Sequence, residues 1–402
     1  MIRFPRMRIR LLVLLSGFLV ATSVPAEPVK LTVLLPFSNV LKHNGISAKN
    51  GFLLGINQEA SDRNVQWKTW VTFEFLDTRS DKTYSLQLAR EAMVNGSKAF
   101  LGFMSSGVTL HLRDYILDEA KVPFIVFGAG NASTVRRQHP LFLRLTNDTQ
   151  YYSLPLALWL KKHPIVPAPK PRWVCIYADY NWGVSICDGF KRAYQNVGVE
   201  IGRVPVPFKT VDKKKELVQL TKLEPDFALG VFGGGEAQVF MRDYFRFKVH
   251  EKIPLITPGS AFTSGLLLTY AKTLKKYDTG VGVLNAHVYS SMLDNKANQN
   301  FVKLYQEVHH TVPNIYAMRG YDAGRLLIKA LTKLEGKWDG VRVVEQMKTL
   351  PVISPRHGEQ LQFDSHGDAI NPGYLFMTKR QDDQLVNELI GQVPSMRVID
   401  SQ

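Results

Sequence analysis

An α/β fold of two lobes, each a doubly wound parallel sheet, is what this sequence predicts, and three observations carry the prediction. Three apolar runs end in a burst of small residues: AFLGFMSSG (99–107), PFIVFGAGN (123–131) and DFALGVFGGGE (226–236). Runs that are apolar throughout belong to strands covered on both faces, as in a parallel sheet. The alternation of strand and helix also runs once, breaks after Arg144-Leu145-Thr146, and starts again. Finally, a chain of 402 residues is longer than one core comfortably holds. Ligands of open α/β sheets sit outside the carboxyl ends of the strands, where Gly and Ser let a solute approach the backbone. Several such ends at one cleft imply a protein that binds a small solute.

The first 26 residues stand apart from the fold. Arg3, Arg6, Arg8 and Arg10 precede an apolar stretch, Leu11–Val20, and ATSVPA (21–26) offers small residues for cleavage. This is the pattern of a secretory signal peptide, with an apolar core too short to span a bilayer. No Cys lies at the junction, so an exported, soluble chain without a lipid anchor is expected.

The first lobe begins with strand Lys30–Pro36 (KLTVLLP), a polar loop, and a helix from about Ile46 to Ala60 with Gly51, Leu54 and Gly55 on one side. Strand Val71–Leu76 follows, then helix Thr83–Asn95, whose stop is Asn95-Gly96. Strand 99–104, helix 108–120 and strand 122–127 complete the half. After the break, helix Tyr151–Lys162 and a Pro-rich surface segment (163–171) lead to strand Trp173–Ala178 and helix Gly183–Asn196. Strand Ile201–Phe208, helix Lys213–Leu223, strand 226–232, helix 236–248, strand 254–257 and a short helix near 261–274 continue the pattern. A strand near Gly282–Ser290 and helices Ala297–His309, Ala317–Leu334 and Val341–Leu350 come next. Leu361–Phe363 and Tyr374–Thr378 read as a terminal hairpin around Asp364–Pro372. The expected division is residues 27–146 plus 286–355 against 147–285 plus 356–402, with hinges near 144–148, 284–290 and 354–361.

Composition narrows the function. The formal charge of +15 falls to +11 without the four leader arginines. The remaining cations are dispersed in pairs such as Arg136-Arg137 and Lys275-Lys276, with no alternation with aromatics, so nucleic acid is not an expected partner. Cys175 and Cys187 are too few for a disulfide scaffold or a Cys-based zinc site. A bond between them is open in an exported chain, but a strand and its covering helix often sit too far apart, so buried free thiols are favoured. No G-x-S-x-G, H-E-x-x-H or G-x-x-x-x-G-K-[ST] occurs, and the adjacent His309 and His310 would point apart on a helix. An enzyme is therefore not expected, and neither is a metal or a cofactor.

Five segments in order carry a resemblance: LGFMSSG (101–107), IYADYNWGVSICDGFKRA (176–193), DFALGVFGGGEAQVFMRD (226–243), YDAGRLLIKAL (321–331) and LQFDSHGD (361–368) followed by NPGYLFM. Together they resemble the type I periplasmic solute-binding proteins, in particular the branched-chain amino acid (Leu/Ile/Val) group of ABC importers. The resemblance implies two lobes joined by three crossings, a periplasmic monomer that closes around its solute, and an inner-membrane ABC permease as partner. The alternative is a sensing protein of the same fold that docks on a sensor or envelope oxidoreductase instead of a permease.

The same resemblance assigns the cleft. Ser106, with Ser105, matches the position that binds a ligand carboxylate, and the amino end of the following helix favours an anion there; capping of that helix is the competing role. The amino-acid clamp matches poorly. The loop Phe127–Asn131 (Gly128, Ala129, Gly130, Asn131) has Gly130 where amino-acid binders place a Thr. The carboxylate that neutralises the ammonium falls on Gly259. A buried ammonium without a partner costs several kcal/mol, roughly, so a carboxylate with an aromatic or uncharged tail is expected rather than leucine. Asn44, Trp182, Phe232, Gly233 and Tyr316 match the remaining ligand-facing positions. Trp182 is read as a stacking wall, and Tyr316 stays open between ligand contact and packing.

Overall fold

β1 (Val29–Leu35) carries five fully buried residues in a row, which is possible only where helices cover both faces of a sheet. The computed structural model describes residues 27–130, 138–146, 148–208, 210–258, 260–262, 266–267, 280–382 and 384–393. The signal-peptide segment, and most of the helix expected at 261–274, lie outside them. Around β1 the first sheet assembles in the order β2-β1-β3-β4-β5, with β2 at Val71–Asp77, β3 at Phe100–Gly102, β4 at Phe124–Val126 and β5 at Phe142–Arg144. All its pairings are parallel, with Thr32 of β1 facing Phe100 of β3.

The second sheet runs β12-β11-β10-β9-β8-β6-β7. Its parallel strands are β6 (Arg172–Ala178), β7 (Val199–Val206), β8 (Phe227–Val231), β9 (Leu255–Pro258) and β10 (Leu284–His287). The antiparallel hairpin β11 (Gly373–Gln381) and β12 (Gln384–Val393) closes its edge. The hairpin expectation is corrected here. Leu361–Phe363 is not the partner of 374–378; β12 is. That strand alternates buried and exposed residues at a sheet edge, so it lacks the continuous apolar signal of the inner strands.

The helices of the first lobe are α1 (Lys42–Arg63), α2 (Lys82–Val94) and α3 (Ser106–Asp114), the last prolonged by a π-helical turn at Tyr115–Glu119. Those of the second are α4 (Gln150–Lys162), α5 (Asn181–Tyr194), α6 (Lys214–Lys222) and α7 (Gly234–Arg246). After β10 come α8 (Lys296–His309), α9 (Ile315–Lys333) and α10 (Gly340–Thr349). The chain thus crosses between the lobes after β5, after β10 and after α10. α9 joins the two cores, with Ile315, Met318 and Tyr321 in one apolar cluster and Leu326, Leu327 and Leu331 in the other. It lies against α1 backbone to backbone: a Cβ on Gly51 would stand 1.9 Å from the Ala317 oxygen, and one on Gly320 2.2 Å from that of Ala48.

The expectation of free thiols is also corrected. Cys175 on β6 and Cys187 on α5 form a disulfide across a Cα–Cα distance of 6.1 Å. The turn between them is so short that the second turn of α5 lies directly over the strand it leaves. Closing a loop of this size contributes about 3 kcal/mol in the chain-entropy view.

Buried ion pairs tie the crossings together. Arg144, at the end of β5, is paired with Asp368 of the third crossing, and Arg356 is paired with Asp322 of α9. Arg356 also donates to the Leu145 carbonyl at 3.0 Å and to Asn371 Oδ1 at 2.5 Å. Beside this network His287 is 3% exposed, and burial, reinforced by the Arg319 charge, pushes its pKa to about 3. Between that value and the ordinary 6.5 only the unfolded chain binds this proton, so stability falls as pH drops below 6.5. His287 alone should remove about 2 kcal/mol between pH 7 and pH 5. His357, pushed to about 4 by burial and then by Arg356, adds to the trend. Urea unfolding at the two pH values checks this, and equal midpoints would refute it.

Candidate functional site

Both sheets reverse strand order at one point: between β1 and β3 in the first, and between β6 and β8 in the second. The chain leaves such neighbouring strands toward opposite faces, which opens a crevice at their carboxyl ends. The two crevices face each other across a cavity of about 280 Å³. From the first lobe it is lined by Leu41, Asn44, Ser80, Met104, Ser105, Ser106, Gly107 and Gly128; from the second by Tyr180, Asn181, Trp182, Phe208 and Gly233; and by Tyr316 at the head of α9.

The same topology aims three helix amino ends at this space. α3 starts at Ser106, with Ser105 as its cap; α5 starts at Asn181; α7 starts after Gly233, with no side chain capping it. The first N–H groups of a helix lack partners within it and carry its positive end, so all three favour an anion. The turn that presents α3 is tight. Gly102 has φ +111° and Phe103 φ +62°, and a Cβ on Gly102 would stand 2.5 Å from the Leu34 oxygen. Asp77 anchors the opposite rim. It accepts from Phe37 N at 2.7 Å and Arg79 N at 2.9 Å, joining the loops that carry Leu41 and Ser80. Burial opposes its ionised form, but those N–H groups, with the Ser38 hydroxyl and the Arg79 charge, together hold the carboxyl below the usual range.

The walls divide by chemistry. Tyr180 and Trp182 stack with ring centroids 5.8 Å apart, and Phe208 meets Tyr180 edge-on at 5.6 Å. Met104 lies against Gly128, whose missing Cβ would be 2.7 Å from the Met104 sulfur. These make an apolar slot. On the polar side, Ser80 Oγ is buried without a hydrogen-bond partner. Burial first, and then Tyr316 and Glu236 nearby, pushes the Tyr180 hydroxyl well above its ordinary range, so it remains a donor. Among the described residues, none that lines the cavity carries a charge. Glu236, three residues past Gly233, is engaged by Lys213 Nζ at 2.6 Å.

The structure brings together Asn44, Ser105, Ser106, Gly128, Trp182, Gly233 and Tyr316. Asn131 and Gly259 lie outside the described residues. Three other expected positions do not line the cavity. Phe232 is fully buried and stacks on Phe240 at 4.1 Å, as core of the second lobe. The Ala129 N–H is taken by the Phe103 carbonyl, and the Gly130 carbonyl accepts from Thr149 N at 2.7 Å, at the first crossing. Ser105 does cap its helix: its Oγ accepts from Val108 N at 3.5 Å. Ser80, Tyr180, Asn181 and Phe208 were not anticipated, although each lies just past the end of a strand. That position was a signal available in the sequence.

Among the described residues no helix is long and apolar enough to cross a membrane. Comparison with known proteins places this architecture. Leu/Ile/Val-binding protein homolog 6 of Brucella melitensis is 25% identical over 354 residues, 84% of each chain. A solute-binding protein of an ABC transporter from Rhodopseudomonas palustris BisB5, solved with 3,4-dihydroxybenzoic acid, superposes with a TM-score of 0.81 at 22% identity, covering 93% of this chain and 99% of that one. Another from R. palustris, solved with benzoate, gives 0.80 at 22% identity, over 92% and 97%. At that identity these structures speak to the fold. A family model described as periplasmic binding protein matches residues 28–384, and this chain, two α/β lobes around a cleft, belongs to that family of solute-binding proteins.

Proposed function

We propose that the protein is an exported receptor whose lobes, 27–146 plus 286–355 and 147–285 plus 356–402, close around a small carboxylate with an aromatic or otherwise apolar tail and deliver it to an ABC permease. The observation that carries this reading is the lining of the cavity: an aromatic and thioether slot facing three helix amino ends, with no charged side chain among the described residues. A carboxylate gains N–H donors there, and a flat tail gains the Trp182 and Tyr180 faces. An amino acid would bring an ammonium with no carboxylate to meet it, at a cost of several kcal/mol, roughly. Ser106 and Asn44 are the side chains assigned to the solute's polar end. The benzoate-type ligands of the two R. palustris proteins support the same class. Closure excludes water and completes contacts from both lobes, and the reading requires no bond to be made or broken. Nothing in the relatives favours docking on a sensor or an oxidoreductase.

Calorimetry with benzoate, cyclohexanecarboxylate and leucine tests this. The two carboxylates should bind and leucine should be weaker by at least an order of magnitude. Trp182→Ala should cost benzoate about tenfold, the value of one aromatic pair with its buried area. Tight leucine binding without benzoate binding would overturn the reading.

A further inference from the structure

Arg319 sits one turn along α9 from Tyr316 and is 2% exposed. Its guanidinium carbon lies 5.8 Å from the Tyr316 ring and 5.9 Å from the Tyr152 ring, and it donates to the Tyr152 hydroxyl. Among the described residues no carboxylate comes within 4.0 Å of it, and its Nε has no partner. The other buried cations around it have carboxylate partners. Asp322, three residues on, gives its Oδ2 to Arg356 and Ser354. Arg144 is paired with Asp368, and Lys213 with Glu236. His287, also buried, is neutral at physiological pH. Arg319 is thus a buried cation without a carboxylate partner among the described residues, a single aromatic ring away from a cavity whose described lining is uncharged. Burying an unpaired cation is costly, and its field is weakly screened where water is excluded.

The geometry points to Arg319 as a specificity-determining residue that acts through Tyr316 and Tyr152 to make the cavity select an anion over its uncharged isostere. The inference rests on the carboxylate reading and deepens it. The solute's negative charge supplies what the protein leaves out, so recognition of charge does not depend on a cation touching the ligand. That leaves the direct contacts to neutral donors at the helix ends. Arg319 is a positioning residue in this sense, and shape recognition by the aromatic slot is independent of it.

The test pairs benzoate with benzamide, which has the same shape and no charge, in calorimetric titrations of the full mature chain. Wild-type protein should prefer benzoate. Arg319→Gln should lower benzoate affinity about tenfold and leave benzamide within about twofold, while Arg319→Lys should keep most of the preference. Benzamide binding also reports that the variant cleft is intact. An equal loss for both probes would make Arg319 a structural strut and overturn the inference, as would an unchanged ratio. If the wild-type protein binds neither probe, the carboxylate reading falls and this inference with it. If it binds benzoate and the ratio does not move, only the role of Arg319 falls.

Discussion

Arg356→Met should destabilise the protein by about 3–5 kcal/mol, the usual cost of stranding one member of a buried ion pair. Arg356 is fully buried and satisfies Asp322 Oδ2 at 2.6 Å, the Leu145 carbonyl and Asn371. Without it Asp322 keeps Ser354 Oγ at 2.6 Å, while its Oδ1 already has no partner. Because Arg356 stands on the third crossing and Leu145 on the first, the variant should also loosen the hinge and weaken solute binding. Urea unfolding of the single variant and of Arg356→Met with Asp322→Leu separates the causes. The double variant should recover most of the loss, since it removes the orphaned charge along with its partner. If the single variant unfolds within about 1 kcal/mol of wild type, the pair is not the anchor described here.

Gly107→Phe should leave the fold intact and lower benzoate affinity on the order of 100-fold, an overpacking effect at the site of binding. Gly107 lines the cavity in the first turn of α3. A Cβ built there meets only Ser105 Oγ, at 3.9 Å, so a side chain has nowhere to go but open space. The helix itself should tolerate the change, because Gly is the poorer helix former. The added ring then competes with the solute for a volume of about 280 Å³. Gly107→Ala should cost less than about threefold, since one methyl fits within ordinary contact distance. Unchanged benzoate binding by the Phe variant, at unchanged thermal stability, would show that this cavity is not where the solute sits.

The two lobes were legible because their evidence is local. Continuous apolar runs such as Lys30–Pro36 and Trp173–Ala178 can only be strands covered on both faces, and they became β1 and β6. Small residues at strand ends mark where a solute can approach, and Ser106, Gly128 and Gly233, expected on that ground, do line the cavity. Trp182, read from sequence as a ring in a loop, sits in the first turn of α5 and lines the cavity while packing partly against the second-lobe core. β12 was not, because an edge strand with alternating polarity resembles a loop. Phe232 misled because one residue of register along β8 separates the cleft from the core. The Cys175–Cys187 bond depended on the length of one turn, a quantity that residue types do not encode.

What the sequence by itself determined is therefore the class of fold, the two-lobe plan and the small-residue rims, since these follow from burial and backbone freedom along short stretches. What only the tertiary structure decided is which groups are already spoken for. The Ala129 N–H and the Gly130 carbonyl are engaged by Phe103 and Thr149, Glu236 is paired with Lys213, and Arg319 has no carboxylate partner among the described residues. Each of those ties joins groups well apart in the chain: Phe103 with Ala129, Thr149 with Gly130, and Lys213 with Glu236. Hydrogen bonds and ion pairs are claims on a limited set of donors and acceptors, and the claims are settled only when the chain has closed on itself.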